Sequence, residues 1–214
     1  MRKLLFTIGH STHRLEHFIG LLAQHRVEAV CDVRSVPYSR RNPQFDREPL
    51  KHRLQAMNVS YVFLGKELGA RSDKSACYID GKVQYNYLVH EPLFAQGLSR
   101  LRNGMSRYRI ALMCAERDPL TCHRTILVCR ELRAPDLSIE HILADGGIES
   151  HAAAEQRLMS MLNIRPDMLH GERDCIEQAY ETQASHIAYV KPSQNSISEP
   201  CKLPDENIHD RLRE

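Results

Sequence analysis

The fold class is decided by residues 3–34, KLLFTIGHSTHRLEHFIGLLAQHRVEAVCDVR. Residues 3–8 are almost wholly apolar, which predicts a strand that is buried on both of its faces. In residues 15–25 the apolar side chains recur at helical spacing, at Leu15, Phe18, Ile19 and Leu22. Residues 27–33 form a second apolar run that contains three valines. A strand, a helix and a strand in this order form a βαβ unit, which places two parallel strands in one sheet with a right-handed crossover.

The same alternation continues along the chain. The sequence predicts further strands at 61–64, 109–114 and 138–143, and further helices at 48–57, 85–102 with an irregularity at Pro92, 121–133, 150–162 and 174–188. Residues 65–81 have no clean period and are predicted as a long surface loop. We therefore expect an α/β fold with a mostly parallel central sheet, built from βα units, with helices on both faces.

Length and composition favour a single folded domain. With 214 residues, of which 42% are hydrophobic, the chain can bury a proper core. We predict an α/β domain over residues 1–163 and a helical extension over 164–190 that packs on it. Residues 191–214 are rich in Pro, Ser and Asn, which predicts a flexible tail.

Charge and cysteine content narrow the class of protein. The net charge is only +2, so no global basic field requires a nucleic-acid partner, although residues 34–53 form a locally basic stretch. Seven scattered cysteines in a chain of this length indicate reduced thiols and a cytoplasmic location. No apolar run approaches the roughly 20 residues of a membrane span, and the N-terminal residues are predicted to be a strand, so we expect no membrane association.

The densest group of reactive side chains is CAERDPLTCHR, residues 114–124. It follows the apolar run that starts at residue 109, and Asp118-Pro119 is a helix start signal, so the group lies where a strand ends and a helix begins. Ligands bind at such positions in open α/β sheets. The candidate catalytic residues here are Cys114, Glu116, Cys122 and His123, and Arg124 is a candidate anion-binding residue. The alternatives are that the cysteines are packing residues and that Glu116 only pairs with a nearby arginine.

A second polar group follows the first two predicted strands. His10 is a candidate catalytic proton carrier, because the charge of histidine changes near physiological pH. The predicted substrate-binding residues are Ser11, Asp32, Arg34, Ser39 and Arg40, together with Arg124. Since the carboxyl ends of parallel strands share one edge of a sheet, we expect this group to meet residues 114–124 around one hollow. The alternative is a surface salt bridge in a solvated loop.

These motifs occur together in the order of a known family. They are Thr7-Ile8-Gly9-His10-Ser11, Asp32-Val33-Arg34-Ser35 with Pro37 and Ser39-Arg40, Gln44-Phe45, Leu68-Gly69, Cys114-Ala115-Glu116 through Cys122-His123-Arg124, His141-Ile142 with Asp145-Gly146, Arg165-Pro166-Asp167 and Ile187-Ala188-Tyr189. Over roughly residues 3–190 the chain resembles the domain of unknown function 488 family. The resemblance implies an α/β fold and a polar site built from these motifs, and it implies no particular activity.

The two thiols of residues 114–124 are compatible with three kinds of chemistry. A thiolate nucleophile could act with His123 or His10 as base, but the Cys-x5-Arg phosphatase loop is absent, because Leu120 stands six residues after Cys114. Reversible pairing of Cys114 with Cys122 lacks the two-residue redox spacing. Metal binding with a histidine lacks the paired short spacing of a closed structural zinc site, which leaves an open site with ligands from several loops.

Three hypotheses about function follow. The first is an intracellular enzyme that acts on an anionic substrate, namely a phosphate-bearing nucleotide or nucleic-acid component. The second is a non-catalytic module that binds nucleic acid or an acidic protein through residues 34–53. The third is a metal site that uses Cys114, Cys122 and histidine. The expected partner is an anionic small molecule or a nucleic acid. The sequence assigns no cofactor, no metal ligand and no oligomeric state.

Overall fold

Six parallel or antiparallel strands form the central sheet of the computed structural model, which describes residues 3–192. In chain order the strands are β1 (Lys3–Gly9), β2 (Ala29–Asp32), β3 (Ser60–Phe63), β4 (Tyr78–Ile79), β5 (Lys82–Val83), β6 (Ile110–Cys114), β7 (Leu137–Ile142) and β8 (Ile148–Ser150). The central sheet has the order β3-β2-β6-β1-β7-β8, and β4 pairs with β5 in a separate hairpin. Every pairing in the central sheet is parallel except that of β7 with β8.

Helices cover both faces of this sheet. They are α1 (Leu15–Gln24), α2 (Arg47–Gln55), α3 (Gly65–Leu68), α4 (Tyr85–Leu88), α5 (Pro92–Gly104), α6 (Arg130–Leu132), α7 (His151–Met161) and α8 (Glu172–Ile187). On one face α1 and α2 form a core with alternate residues of the strands, and on the other face lie the remaining helices with their own core. The expected α/β fold with a mostly parallel sheet is therefore confirmed.

Strand β6 shows why the sheet is buried on both sides. Ala111 and Met113 belong to the core beneath α1 and α2, whereas Ile110 and Leu112 belong to the opposite core. Side chains alternate between the two faces of a strand, so a strand covered on both faces must be apolar at every position. Burying each such large side chain stabilises the fold by about 1.5–3 kcal/mol.

Two predicted elements differ in detail from the structure, and one short strand was missed. Pro92 divides the predicted 85–102 helix into α4 and α5, because proline lacks the N–H that a helix interior needs and occupies the first turn of α5. The predicted loop 65–81 contains α3, a 3₁₀ turn and β4, and it buries Leu68 and Cys77. Strand β8 was not predicted, because three residues are too few to show a period.

The predicted 121–133 helix is also irregular. A 3₁₀ turn, Pro119–Thr121, comes first, and the Asp118 side chain caps it by accepting a hydrogen bond from the Leu120 amide at 2.8 Å. A π-helix, Arg124–Cys129, follows and continues into α6. The helix start signal is therefore confirmed, but a single regular helix is wrong. Short π-helical segments are rare and are frequent at functional sites.

The position of β6 creates a crevice at the carboxyl edge of the sheet. It lies between β1 and β2, whose connections lead to α1 and α2 on one face, while its own connection leads to the other face. Connections that diverge in this way leave room for a ligand. The turn after β6 crosses the end of β1 so closely that a Cβ atom on Gly9 would lie 1.9 Å from the Glu116 carbonyl oxygen. Only glycine fits there.

The C-terminal part of the described chain returns to this edge. Helix α8 places Ala179 and Tyr180 in the same core as α3 to α7. After α8, the Val83 amide donates to the Tyr189 carbonyl at 2.9 Å, which fastens the segment to the β4–β5 hairpin. The division of the chain at residue 163 stays a prediction, and residues 193–214 of the predicted tail lie outside the described residues. Within residues 3–192, no helix combines the length and apolar character that a membrane span requires.

Candidate functional site

The reactive side chains of residues 114–124 converge in the folded chain. One ligand atom from each of Cys114, Glu116, Cys122 and His123 lies within 4.8 Å of all the others. We call these four residues the thiol cluster. Both cysteines and His123 are buried, whereas Glu116 is the exposed member. The cluster therefore consists of two buried sulfurs and one buried imidazole, with an exposed carboxylate beside them.

The orientation of His123 is fixed by the backbone of the loop after β2. Its Nε2 atom lies 2.9 Å from the carbonyl oxygen of Val33, which can only accept a hydrogen bond. In the neutral imidazole Nε2 must therefore carry the hydrogen, and Nδ1 presents its lone pair to the cluster. This Nδ1 atom lies 3.6 Å from Cys114 Sγ.

The two thiols differ in their surroundings. Burial raises the pKa of Cys114 well above its usual value. Burial also acts against ionisation of Cys122, but a hydrogen bond from Cys114 and the charge of Arg124 together hold the pKa of Cys122 well below its usual value. Cys122 Sγ accepts a hydrogen bond from the Arg124 amide at 3.4 Å and lies 2.9 Å from Glu116 Oε2. Burial and the neighbouring Cys122 raise the pKa of Glu116.

Arg124 supports the cluster from below. Its side chain is fully buried, and its guanidinium donates to the carbonyl oxygens of Glu116 at 2.7 Å and Arg117 at 3.3 Å. A third donor reaches Thr7 Oγ1 at 3.4 Å. None of the ion pairs in the described part of the chain involves Arg124. A buried guanidinium stays charged, so the thiol cluster provides the neighbouring negative charge.

A second network joins the ends of β1 and β2. Arg34 pairs with Asp32 at 2.7 Å and donates from Nη1 to His10 Nε2 at 3.2 Å. Tyr61 donates its hydroxyl to the same carboxylate at 2.7 Å. Because a guanidinium can only donate, His10 accepts at Nε2 and donates from Nδ1 to the carbonyl oxygen of Ser11 at 2.9 Å. Burial and the charge of Arg34 lower the pKa of His10 to about 4.

The structure brings most of the predicted site residues to one edge, with different degrees of access. His10, Asp32, Arg34 and Arg124 are buried and have protein hydrogen-bond partners. Ser39 organises its own loop, since its amide donates to Asp46 at 2.7 Å and its hydroxyl accepts from the Asn42 amide at 3.1 Å. Ser11 has a left-handed backbone, with φ of 48°, beside the crevice. Arg40 is exposed and lines neither of the cavities that adjoin the thiol cluster.

Two cavities adjoin the thiol cluster, and both are lined by Glu116 and Arg34. The first, of about 260 Å³, includes Cys114, His123, Arg71, Tyr85 and Tyr189 in its lining. The second, of about 400 Å³, includes Ser11, Tyr38, Ser39, Arg41 and Arg117. Sequence reasoning did not assign Arg41, Arg71, Arg117 or Tyr189 to the site. Arg41 and Arg117 are direct neighbours of the motifs and Tyr189 belongs to the motif Ile187-Ala188-Tyr189, which are usable signals, although the fold decides that Tyr189 lines the cavity.

The basic stretch 34–53 does not form one uniform surface. Arg34 is buried against Asp32, and the guanidinium of Arg47 lies over the ring of Phe63, 5.0 Å from its centre. The exposed arginines of the stretch are Arg40, Arg41 and Arg53. Of these, Arg41 lines the second cavity.

A further buried network runs behind Arg124. Thr7 Oγ1 lies 2.8 Å from His141 Nδ1, and His141 Nε2 lies 3.0 Å from His151 Nδ1. The Tyr180 hydroxyl lies 2.9 Å both from His151 Nε2 and from Glu155 Oε1. Burial, followed by the charge of Arg133, lowers the pKa of His151 to about 4. These groups connect α8 with the sheet beneath the thiol cluster.

Comparison with known proteins agrees with the motifs. A family model described as Domain of unknown function DUF488 matches residues 14–130, which is more than half of the 214 residues. The match includes the Asp32–Arg34 segment and all of the thiol cluster, while His10 and Ser11 precede it. No curated protein and no solved structure matched the chain.

Proposed function

We propose that this chain, which belongs to the DUF488 family, is an enzyme whose chemistry takes place at the thiol cluster and whose substrate is a phosphate-bearing anion. The convergence of two thiols, an imidazole and a carboxylate within 4.8 Å carries the proposal. The substrate lies in the two adjoining cavities, of which the first is lined by Cys114, Glu116 and His123 and the second by Glu116.

A purely structural role does not account for this arrangement. Burying the guanidinium of Arg124 costs folding free energy that an apolar core would not cost. Groups with strongly shifted pKa values cluster at functional sites for this reason. The cluster also opens into cavities, so a ligand can reach its carboxylate and its imidazole.

The charge of the cavities favours an anion. Arg41, Arg71 and Arg117 are exposed at their walls, and Glu116 is the single carboxylate among the described lining residues. A guanidinium matches the geometry of phosphate with two parallel hydrogen bonds. Tyr38, which is 58% exposed beside Arg41, offers a flat face on which a nucleobase can stack. In this proposal Arg34 and Arg124 position His10 and the turn after β6 and do not contact substrate.

The test is binding of inorganic phosphate and of a nucleoside 5′-monophosphate, measured by calorimetry. We expect Arg117→Ser and Arg41→Ser each to weaken binding about tenfold or more, because a hydrogen bond to a charged group contributes about 1.5–3 kcal/mol. The matched control is Arg53→Ser, an exposed arginine of α2 that lines neither cavity.

Two outcomes would contradict the proposal. One is that neither probe binds to the wild-type chain. The other is that Arg53→Ser weakens binding as much as the two cavity variants, together with a steep fall of affinity with salt. That second outcome would favour a diffuse nucleic-acid surface, because phosphate contacts along a backbone produce a strong salt dependence.

A further inference from the structure

We propose that Cys114, Cys122 and His123 bind one zinc ion, and that Glu116 stands beside the open fourth position of that ion as the proton acceptor. This inference deepens the proposed function, on which its catalytic part rests, by naming the cofactor and the reaction class. The metal-binding part can be tested without any substrate.

The donor atoms of Cys114 and His123 have the separation that one shared ion requires, and the donor atoms of all four residues lie within 4.8 Å of one another. Zinc–sulfur and zinc–nitrogen bonds of 2.0–2.3 Å in a tetrahedron place a sulfur and a nitrogen ligand about 3.6 Å apart. Cys114 Sγ and His123 Nδ1 are 3.6 Å apart. Cys122 Sγ and Glu116 Oε2 are only 2.9 Å apart, which is too close for two ligands of the same tetrahedral ion. Glu116 is therefore a neighbour of the ion and not a fourth protein ligand.

The hydrogen bonds that these ligands make to other residues also match those of a metal site. A histidine ligand almost always donates its other ring N–H to a carbonyl or a carboxylate, which fixes the tautomer. His123 donates Nε2–H to Val33 in this way, so its Nδ1 lone pair is directed into the cluster. Cys122 Sγ accepts the Arg124 amide hydrogen bond, which stabilises a thiolate.

The charges of the site are balanced when a divalent cation is bound. Metal-binding cysteines are thiolates, and Glu116 as a carboxylate adds a third negative charge. The buried guanidinium of Arg124 cancels one of these charges, and Asp32 and Arg34 cancel each other. In the metal-bound site two negative charges remain, and the divalent cation neutralises them, since the thiols give up their protons when the ion binds.

The identity of the ligands selects the metal and leaves one position open. Soft thiolates with one imidazole favour zinc over magnesium or calcium, which prefer oxygen ligands. Three protein ligands with a vacant fourth position are typical of catalytic zinc sites, whereas structural sites have four. All three ligands are buried, and the cavity lined by Cys114, Glu116 and His123 gives access to the fourth position.

This arrangement supports hydrolysis. A water molecule in the fourth position loses a proton to Glu116, and its oxygen forms the new bond to the electrophilic atom of the substrate. The bond to the leaving group breaks, and Glu116 returns the proton to that group. Water is the only co-reactant. Zinc held by one histidine and two cysteines, with a glutamate that is not a ligand, also serves hydrolytic deamination of nucleobases.

The first experiment measures metal in the full chain, purified under reducing conditions without chelator. We expect one zinc ion per chain by mass spectrometry of the elements. After removal of zinc, addition of Co²⁺ alone is expected to produce the intense visible bands of tetrahedral cobalt and a thiolate-to-cobalt charge-transfer band. A chain that neither contains zinc nor binds Co²⁺ in this form overturns the inference.

Variants assign the ligands. Cys122→Ser and Cys114→Ser are expected to weaken zinc binding by more than the roughly 10- to 100-fold that outer contacts of a metal site contribute. The matched control is Cys129→Ser, since Cys129 is equally buried but lies outside the cluster, and this variant is expected to keep one zinc ion per chain. Equal loss of zinc in Cys129→Ser would contradict the assignment. If a variant of the thiol cluster does not fold, the cobalt spectrum of the wild-type chain decides whether thiolates bind the metal.

Glu116→Gln separates a proton acceptor from a ligand. We expect this variant to retain zinc and the cobalt spectrum, with the pH-dependent change of that spectrum altered. Loss of zinc equal to that in Cys122→Ser would overturn the open-position arrangement. Absence of zinc with intact phosphate binding would refute this inference alone, and zinc binding without any affinity for phosphate or nucleotide would refute the proposed function alone.

Discussion

Lowering the pH should destabilise the fold through buried histidines, among them His10 and His151. Burial and a nearby arginine lower the pKa of both His10 and His151 from the usual 6.5 to about 4. Below pH 6.5 the unfolded chain binds a proton at each of these residues while the folded chain does not. Their contribution to stability is therefore fully present above pH 6.5, falls as the pH drops toward 4, and changes no further below that value.

The size of the effect follows from the pKa shifts. One pKa unit corresponds to 1.36 kcal/mol, so a shift from 6.5 to about 4 makes a contribution of about 3 kcal/mol for each histidine. At pH 4.5 most of this contribution is lost. That is a large fraction of the 5–15 kcal/mol by which folded domains are stable.

Urea unfolding at pH 7 and at pH 4.5 measures this loss. In His10→Gln the difference between the two free energies of unfolding should be smaller than in the wild type by about 2–3 kcal/mol, because the contribution of His10 is gone. The control is His52→Gln, at an exposed position of α2, which should leave the difference unchanged. The carboxylates contribute equally in all three chains and cancel in the comparison.

Two results would refute this reasoning. One is an imidazole of His10 that titrates near 6.5 in the folded chain by nuclear magnetic resonance. The other is a His10→Gln variant with the full pH dependence of the wild type. Either would show that the stacking of His10 on Phe45, with ring centres 4.4 Å apart, does not exclude water from the imidazole.

Three further predictions concern stability and can be checked by urea unfolding. Gly9→Ala should lower the free energy of unfolding by several kcal/mol, because its Cβ would lie 1.9 Å from a backbone oxygen. Gly20→Ala in α1, whose Cβ would meet nothing within 4 Å, should raise that free energy by about 0.5–1 kcal/mol. Equal effects of the two substitutions would show that the turn after β6 can move. Tyr180→Phe should lower the free energy of unfolding by about 1–3 kcal/mol, because it leaves the buried partners of the hydroxyl, His151 and Glu155, without that hydrogen bond. Tyr87→Phe at an exposed position should change it by close to nothing. A neutral Tyr180→Phe would argue against the hydrogen-bond network of Tyr180 and His151. Arg157→Ala should lower the free energy of unfolding by no more than about 1 kcal/mol, and by less in high salt, since its ion pairs with Asp118 and Glu149 are partly exposed. A larger loss would mean that the two ion pairs act as one buried unit.

The sheet could be predicted because its signals are local. The strand at residues 3–8 is mainly apolar and the strand at 138–143 contains three apolar residues, and the structure places β1 and β7 there within one residue. The irregularity at Pro92 was predicted as well, because the missing N–H of proline acts at its own position. Strand β8 and the β4–β5 hairpin were missed, since strands of two or three residues form only where a partner strand is already in place.

The candidate site was likewise predictable in part: the positions of its residues could be predicted from the sequence, but their exposure could not. The sequence showed that residues 114–124 stand where a strand ends and a helix begins. It also showed that polar groups at His10 and Asp32 follow the first two strands. The access of each side chain could not be predicted. Arg34 and Arg124 have the same side chain as the exposed Arg71 and Arg117, and burial alone distinguishes the first two from the second.

The sequence by itself determined the alternation of strands and helices, the parallel sheet and the edge at which the reactive residues collect, because periodicity and caps act over a few residues. Only the tertiary structure decided that Cys114, Cys122 and His123 share one centre and that Tyr189 closes the cavity beside it. The spacing of the two cysteines matches no compact metal motif, since one sulfur comes from the end of β6 and the other from the turn before the π-helix. Their distance is set by how the chain crosses over Gly9, and that is a contact between segments distant in sequence.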